Sequence, residues 1–162
     1  MTFIPQVSSA IQIPVVAAGG IADGRGMAAA FMLGAEAIQM GTAFLVSKEC
    51  TIHQNFKDLL IKADSADVVV TGRKTGHAVR CIENNLTKAF RALDEENAEN
   101  EAYIALGTGA AFKSAREGDV VDGSVMAGQI VGLVNAEKTA AQIIQDVVDH
   151  YNRLRLDLLE IT

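Results

Sequence analysis

With 162 residues the chain is long enough to bury a core as one domain, and with 49% of them apolar and a mean hydropathy of +0.21 it is no disordered polypeptide. A net charge of −6 with no basic stripe excludes nucleic acid and anionic membrane surfaces as partners. Without tryptophan and with 5% aromatics, the core falls to Ala, Val, Ile, Leu and Met. Residues 4–12 read as a short helix with Pro5 in its first turn. Residues 13–18, IPVVAA, read as a strand with almost no alternation, expected to be covered on both faces as in parallel α/β sheets. GGIADGRG follows, then a compact alanine-rich helix over 25–33 stopped by Gly34, then a strand over 37–40 and a helix over 52–63.

At about residue 64 the pattern changes. DVVVTGRKTGHAVRCI holds two β-prone runs around a turn, which predicts a hairpin or irregular ribbon. Ile82, Leu86, Phe90 and Leu93 recur at helical spacing, and the acidic stretch 94–101 reads as a solvated helix end and loop. The glycine-rich stretch 106–134 leads into a small-residue helix. Residues 137–161 form the clearest helix, with Ala140, Ile144, Val147, Tyr151, Leu154 and Leu158 along one stripe. Three units result: 1–63 with the two strand–helix steps, 64–122 with the ribbon and helices, and 123–162 packing back. The start lacks a basic and apolar leader, and no apolar run nears the ~20 residues of a membrane span. Cys50 and Cys81 form neither a CxxC nor a metal cluster, so they read as small buried residues. A soluble, reduced, cytoplasmic protein without a metal is the expectation.

The strands over 13–18 and 37–40 both end abruptly in glycine, at Gly19-Gly20 and at Gly41-Thr42. Glycine lets backbone N–H groups approach a ligand unhindered by a side chain. A separation of 22 positions between Gly19 and Gly41 leaves room for one loop, one helix and one strand. Two neighbouring parallel strands then present glycine loops at one edge, the place where the last loops of a (β/α)8 barrel often bind phosphate. A phosphate dianion needs converging N–H donors, a hydroxyl such as that of Thr42, and a nearby helix N-terminus. A phosphate-bearing cofactor is therefore one reading, and ordinary strand-to-helix turns are the other.

The block IPVVAAGGIADGRGMAAAFMLGAEAIQMGTAFLVSKE closely resembles the FMN-dependent family of enoyl-acyl-carrier-protein reductase II and nitronate monooxygenase (2-nitropropane dioxygenase). GHAVRCIENNLT at 76–87, GDVVDGSVMAGQIVGLV at 118–134 and the terminal helix extend the resemblance over essentially the whole chain, with GHAVR and GSVMAGQ closer to the enoyl reductase branch. The resemblance implies an α/β fold, the C-terminal part of a (β/α)8 TIM-type barrel with its last two βα units, plus a mainly helical C-terminal region. It also implies that the first six strands and the histidine assigned a catalytic role lie outside this chain. FMN is the implied cofactor, with NADH or NADPH as co-substrate. Hydride would pass from nicotinamide to flavin and on to the β-carbon of a small-molecule or acyl-carrier-protein-linked enoyl thioester. The alternative oxidises alkyl nitronates with oxygen on the same cofactor. A third reading, of another class, is an inactive fragment or self-associating module, motivated by the strand edges and apolar helix face that a two-stranded piece exposes; either way a homo-oligomer, or pairing with an N-terminal half, is expected.

By that resemblance Gly19, Gly20, Gly41 and Thr42 hold the flavin phosphate. Gln39 and Met40 line the pocket beneath it or point into the barrel core. Ser124, Met126, Ala127, Gly128 and Gln129 approach the flavin, the small residues and polarizable Met suiting a flat ring and Gln129 able to bond the cofactor; a tightly packed small-residue helix is the other reading. His77 and Arg80 would bind an anionic substrate group, against a surface ribbon with a hydrogen-bonded histidine. Asp23 reads as a helix N-cap rather than a catalytic group. His53 and His150 look structural, and Asp119 and Asp122 share a turn without the pattern of a calcium loop.

Overall fold

The computed structural model describes residues 2–160 and shows mixed α/β architecture. Helix α1 (Phe3–Ala10) precedes strand β1 (Val16–Ala18), and helix α2 (Gly24–Met32) connects it to strand β2 (Ala37–Gln39), which pairs with β1 in parallel. Asp23 caps α2, accepting the backbone N–H groups of Arg25 and Gly26, and Gly34 at φ +98° ends the segment. The short α3 (Thr42–Leu45) and then α4 (Gln54–Lys62) follow, the latter capped by His53, whose Nδ1 accepts the Asn55 N–H.

The first pair of strands is buried on one face only. Ala17 packs with Ile21, Ala30 and Ala35, joined by Ile4 and Ile38, so α1 and α2 cover that side. Val16, Ala18, Ala37 and Gln39 form the opposite face and are exposed, with Val16 at 55%. The expectation that β1 is covered on both faces is corrected here. Its unalternating run suits a two-sided burial that α1 and α2 supply from one side alone.

Strands β3 (Val68–Thr71) and β4 (Val79–Ile82) form the antiparallel hairpin the sequence predicts. Helix α5 (Asn85–Glu95) opens with a capping box, the Asn84 carboxamide accepting the Thr87 N–H while the Thr87 hydroxyl accepts the Asn84 N–H. Helix α6 (Asn100–Gly107) and the turn α7 (Ala110–Phe112), continued as a π turn through Lys113–Glu117, complete this part.

Residues 125–127 then run beside β4: the Ile82 N–H donates to Val125 O at 2.9 Å and the Ala127 N–H to Arg80 O at 3.1 Å. The small-residue helix read across GSVMAGQ is thus an extended strap, and only Gln129–Leu133 coils, as a 3-10 turn. Backbone pairing with the free edge of β4 outweighs the helical tendency of so short a run, which Gly123 and Gly128 flank.

Helix α8 (Ala140–Glu160) closes the chain. Among its described side chains Ile143 and Val147 are buried, with Tyr151 set edge-on to Phe31 at 5.4 Å. Ile144, read as part of the stripe, is exposed. The stripe otherwise stands, with Ile143 taking the inward place expected of Ile144, and α8 lies against α2 at Gly24, where a Cβ would meet the backbone of Tyr151 and, at 2.6 Å, of His150. The Leu158 side chain and Ile161 lie outside the described part. The main core joins Val46, Phe56 and Leu60 to Val68 and Ile82 and to Val125, Val131 and Ile143. Early, middle and late segments therefore share one interior. Among the described residues no helix is long and apolar enough to cross a membrane.

Candidate functional site

The parallel register fixes the geometry of the glycine loops. Ala18 pairs with Gln39, so both strands run out of the sheet at the same level and Gly19-Gly20 and Gly41-Thr42 leave side by side. Gly19 and Gly20 adopt φ +88° and +74°, a region that favours glycine, and nothing stands within 4 Å of a Cβ built on either of them or on Gly41. This is an open backbone cradle. The helix N-terminus expected beside it is spent, because the Asp23 carboxylate already accepts the first N–H groups of α2 and binds the Arg25 guanidinium at 2.5 Å. Burial pushes the Asp23 carboxyl up, but the Arg25 side chain and the two N–H donors outweigh it and hold it below its ordinary value. Asp23 is a cap, not a free acid or base.

Beside Gly41 lies a cavity of about 340 Å³ lined by Gly41, Thr42, Arg80, Met126, Ala127 and Gly128, with Leu45. Residues 86 positions apart meet directly: the Gly128 N–H donates to Thr42 Oγ1 at 3.0 Å. Arg80 reaches the cavity from β4, and its guanidinium makes no ion pair among the described residues. Met126 projects from the strap with 45% of its surface open.

The other predicted residues stand elsewhere. Ser124 faces inward, its N–H donating to Ala110 O and its carbonyl accepting the Ser114 hydroxyl at 2.6 Å, with its own hydroxyl 3.5 Å from Cys81 Sγ. Burial raises the Cys81 thiol, with the Ser124 contact opposing, so it stays protonated. Gln129 is exposed and does not line the cavity. Gln39 lies on the open sheet face, and Met40 packs between the two cores. His77 is exposed in the hairpin turn, its N–H on Thr75 Oγ1, apart from the cavity that holds Arg80.

Sequence reading missed what anchors the strap. Asn84 Nδ2 donates to Val120 O at 2.9 Å and Gly123 O at 2.8 Å, so a helix cap also holds the loop before the strap. The only local signal was the Asn-x-x-Thr spacing of the capping box. A larger cleft, about 870 Å³, runs between α8 and residues 133–138; Lys138, Asp146, Asp149 and Arg153 give it mixed charge, and of the polar residues weighed above Asp23 and His150 reach it.

Parallel βα steps ending in an open glycine cradle, with a ribbon and strap folded over one side, define an α/β chain whose candidate site sits at a sheet edge. The chain belongs to the nitronate monooxygenase family, whose model matches residues 1–150. It is 37% identical to a probable nitronate monooxygenase of Staphylococcus saprophyticus over 95% of its length, and 30% identical to one of Staphylococcus aureus. Among solved structures it is similar to FabK from Thermotoga maritima, at 41% identity and a TM-score of 0.93, and to nitroalkane oxidase from Streptomyces ansochromogenes, at 29% and 0.76. The comparisons cover 98% and 96% of this chain but 50% and 44% of those proteins, and 43% of the Staphylococcus relatives. The chain spans about half the length of the relatives it matches.

Proposed function

We propose that the chain is the phosphate-holding part of an FMN-dependent oxidoreductase, a sector of a (β/α)8 barrel, of the enoyl-acyl-carrier-protein reductase II type. The observation that carries this is the open cradle of Gly19, Gly20 and Gly41 level with a hydroxyl-bearing cavity. It fits the group: a phosphate monoester takes backbone N–H donors at close approach, and side chains at these three positions would fill the space it needs. When bound, FMN supplies the hydride-accepting and hydride-donating ring. The chain's own residues do the rest. Gly19, Gly20 and Gly41 admit the phosphate to the backbone, and Thr42 adds an O–H donor. Met126 and Ala127 offer apolar surface, and the unpaired Arg80 guanidinium suits an anionic part of the substrate. The similarity to FabK supports enoyl thioester reduction with NADH or NADPH as the first reading, and the family model and the Staphylococcus relatives support nitronate oxidation as the alternative.

Gly41 makes the clean test, since its φ of −110° and the free space around it let Val fold without strain. FMN fluorescence titration should show saturable binding, weak in this chain because it carries few ring contacts, and Gly41→Val should weaken it by about tenfold or more, as expected for the loss of one close charged contact. Equal affinity in the variant would remove the cradle from the account. On the full-length relative form, NADH consumption with crotonyl thioester, rather than oxygen uptake with propyl-2-nitronate, is the expected chemistry.

A further inference from the structure

Thr42 holds a position that the cradle alone does not explain. Its Oγ1 accepts the Gly128 N–H at 3.0 Å, which spends one lone pair on the strap. A hydroxyl also carries one proton to donate, and the described residues offer it no acceptor although the residue is buried. Thr42 lines the cavity next to Gly41, so the unspent proton is available to an atom that accepts and does not donate. The strap is otherwise held from its far side, through β4 by the Ile82 and Ala127 N–H groups and through Asn84 and Ser114. Toward the cradle, the Thr42 hydroxyl is its hydrogen-bonded link.

From this we infer that Thr42 is a positioning residue that couples occupancy of the cradle to the placement of the strap bearing Met126. A hydroxyl that donates to an anionic oxygen becomes a better acceptor, because successive hydrogen bonds polarise one another. A phosphate oxygen on the Thr42 proton therefore tightens the Thr42–Gly128 bond and suppresses local opening of residues 125–128. The coupling is reciprocal: what loosens the strap weakens the anion. The apolar surface of Met126 and Ala127, already held through β4, is thereby held more firmly when the phosphate is seated. The inference rests on the flavin reading and adds the phosphate monoester as the trigger.

Amide hydrogen exchange of Gly128 in the 162-residue chain tests it, with FMN and riboflavin as the probes. Saturating FMN should slow Gly128 exchange by about tenfold or more, the scale of one charge-assisted hydrogen bond, and riboflavin, which lacks the phosphate, should not. Thr42→Val should abolish the FMN-induced slowing, while Thr42→Ser, which keeps the hydroxyl, should retain it. Equal protection by riboflavin, or undiminished FMN protection in Thr42→Val, overturns the coupling while leaving flavin binding intact. An exchange pattern in Thr42→Ser matching that of Thr42→Val also overturns it. Absence of saturable FMN binding to the unaltered chain refutes the flavin reading itself, and the coupling with it.

Discussion

Lys57 shows how a single residue can hold together segments far apart in sequence. Its side chain is 5% exposed, yet its ammonium donates to Ser47 O at 2.6 Å and to Glu137 Oε1 at 3.1 Å, joining α4 to the segment after α3 and to the approach to α8. A buried charge is tolerated only when paired and hydrogen-bonded, and both conditions hold. The Lys57 hydrogen bond draws the Glu137 carboxyl below its ordinary value; burial opposes this, and the Gln54 amide and the charge of Lys57 and Lys48 reinforce it. A carboxyl depressed in the folded state contributes stability above its unfolded pKa of about 4.3, and that contribution is lost as pH falls through the folded value. Glu137→Gln should therefore melt below the unaltered chain at pH 7, by a modest margin because the carboxylate is part-exposed, and the gap should close on acidification below about pH 4. Melting curves at the two pH values decide the matter; a gap independent of pH would mean that the charge of Glu137 contributes nothing. Nothing in the sequence marked Lys57, since a lysine in an amphipathic helix ordinarily lies on its wet face.

At the level of elements, helices and the hairpin were legible because their signals are local. Asp23 as a cap, Gly34 as a stop and the two β-prone runs around the 72–78 turn all stand where propensity puts them. The strap was not legible, because its conformation is decided by the free edge of β4, some 45 positions away, and not by GSVMAGQ itself. The candidate site divides in the same way. Gly19, Gly20, Gly41 and Thr42 follow from strand ends, and Arg80, Met126 and Ala127 do converge on the cavity, whereas Ser124 is held by Ser114 and Ala110 before the strap reaches the cavity and Gln129 is turned to solvent where the 3-10 turn begins. The small residues of α2 were legible as a face for close packing on the sheet, but α8 as their partner was not, nor was the exposure of Ile144. That packing depends on Gly24, which admits α8 to backbone contact. Gly24→Ala should cost about 1–3 kcal/mol, as overpacking of a filled interface does, whereas Gly41→Ala, with open space around it, should change stability by no more than about 0.5 kcal/mol. Urea denaturation of the two variants checks this, and equal midpoints would show that α8 yields without cost.

For the whole molecule, the exposed sheet face sets the behaviour in solution. Val16, Ala18, Ala37 and Gln39 stand side by side without cover, and β1 and β2 each have one edge with no strand partner among the described residues. A two-stranded parallel sheet with bare edges is a template for further strands. In proteins twice as long, such as those the chain superposes on, other polypeptide can occupy these surfaces; as a separate 162-residue molecule the chain has itself as the available partner. Its hydrophobic stabilisation is also curtailed, since an uncovered apolar face contributes nothing at ~25 cal/mol per Å². The proposed consequence is concentration-dependent self-association through the β1–β2 face. Light scattering should give a mass above 17.1 kDa that falls on dilution, and Val16→Glu, which places a charge on that face, should shift it to the monomer value. A monodisperse 17.1 kDa species of the unaltered chain that melts cooperatively would contradict this, because a small parallel sheet would then be stable with its apolar face in water.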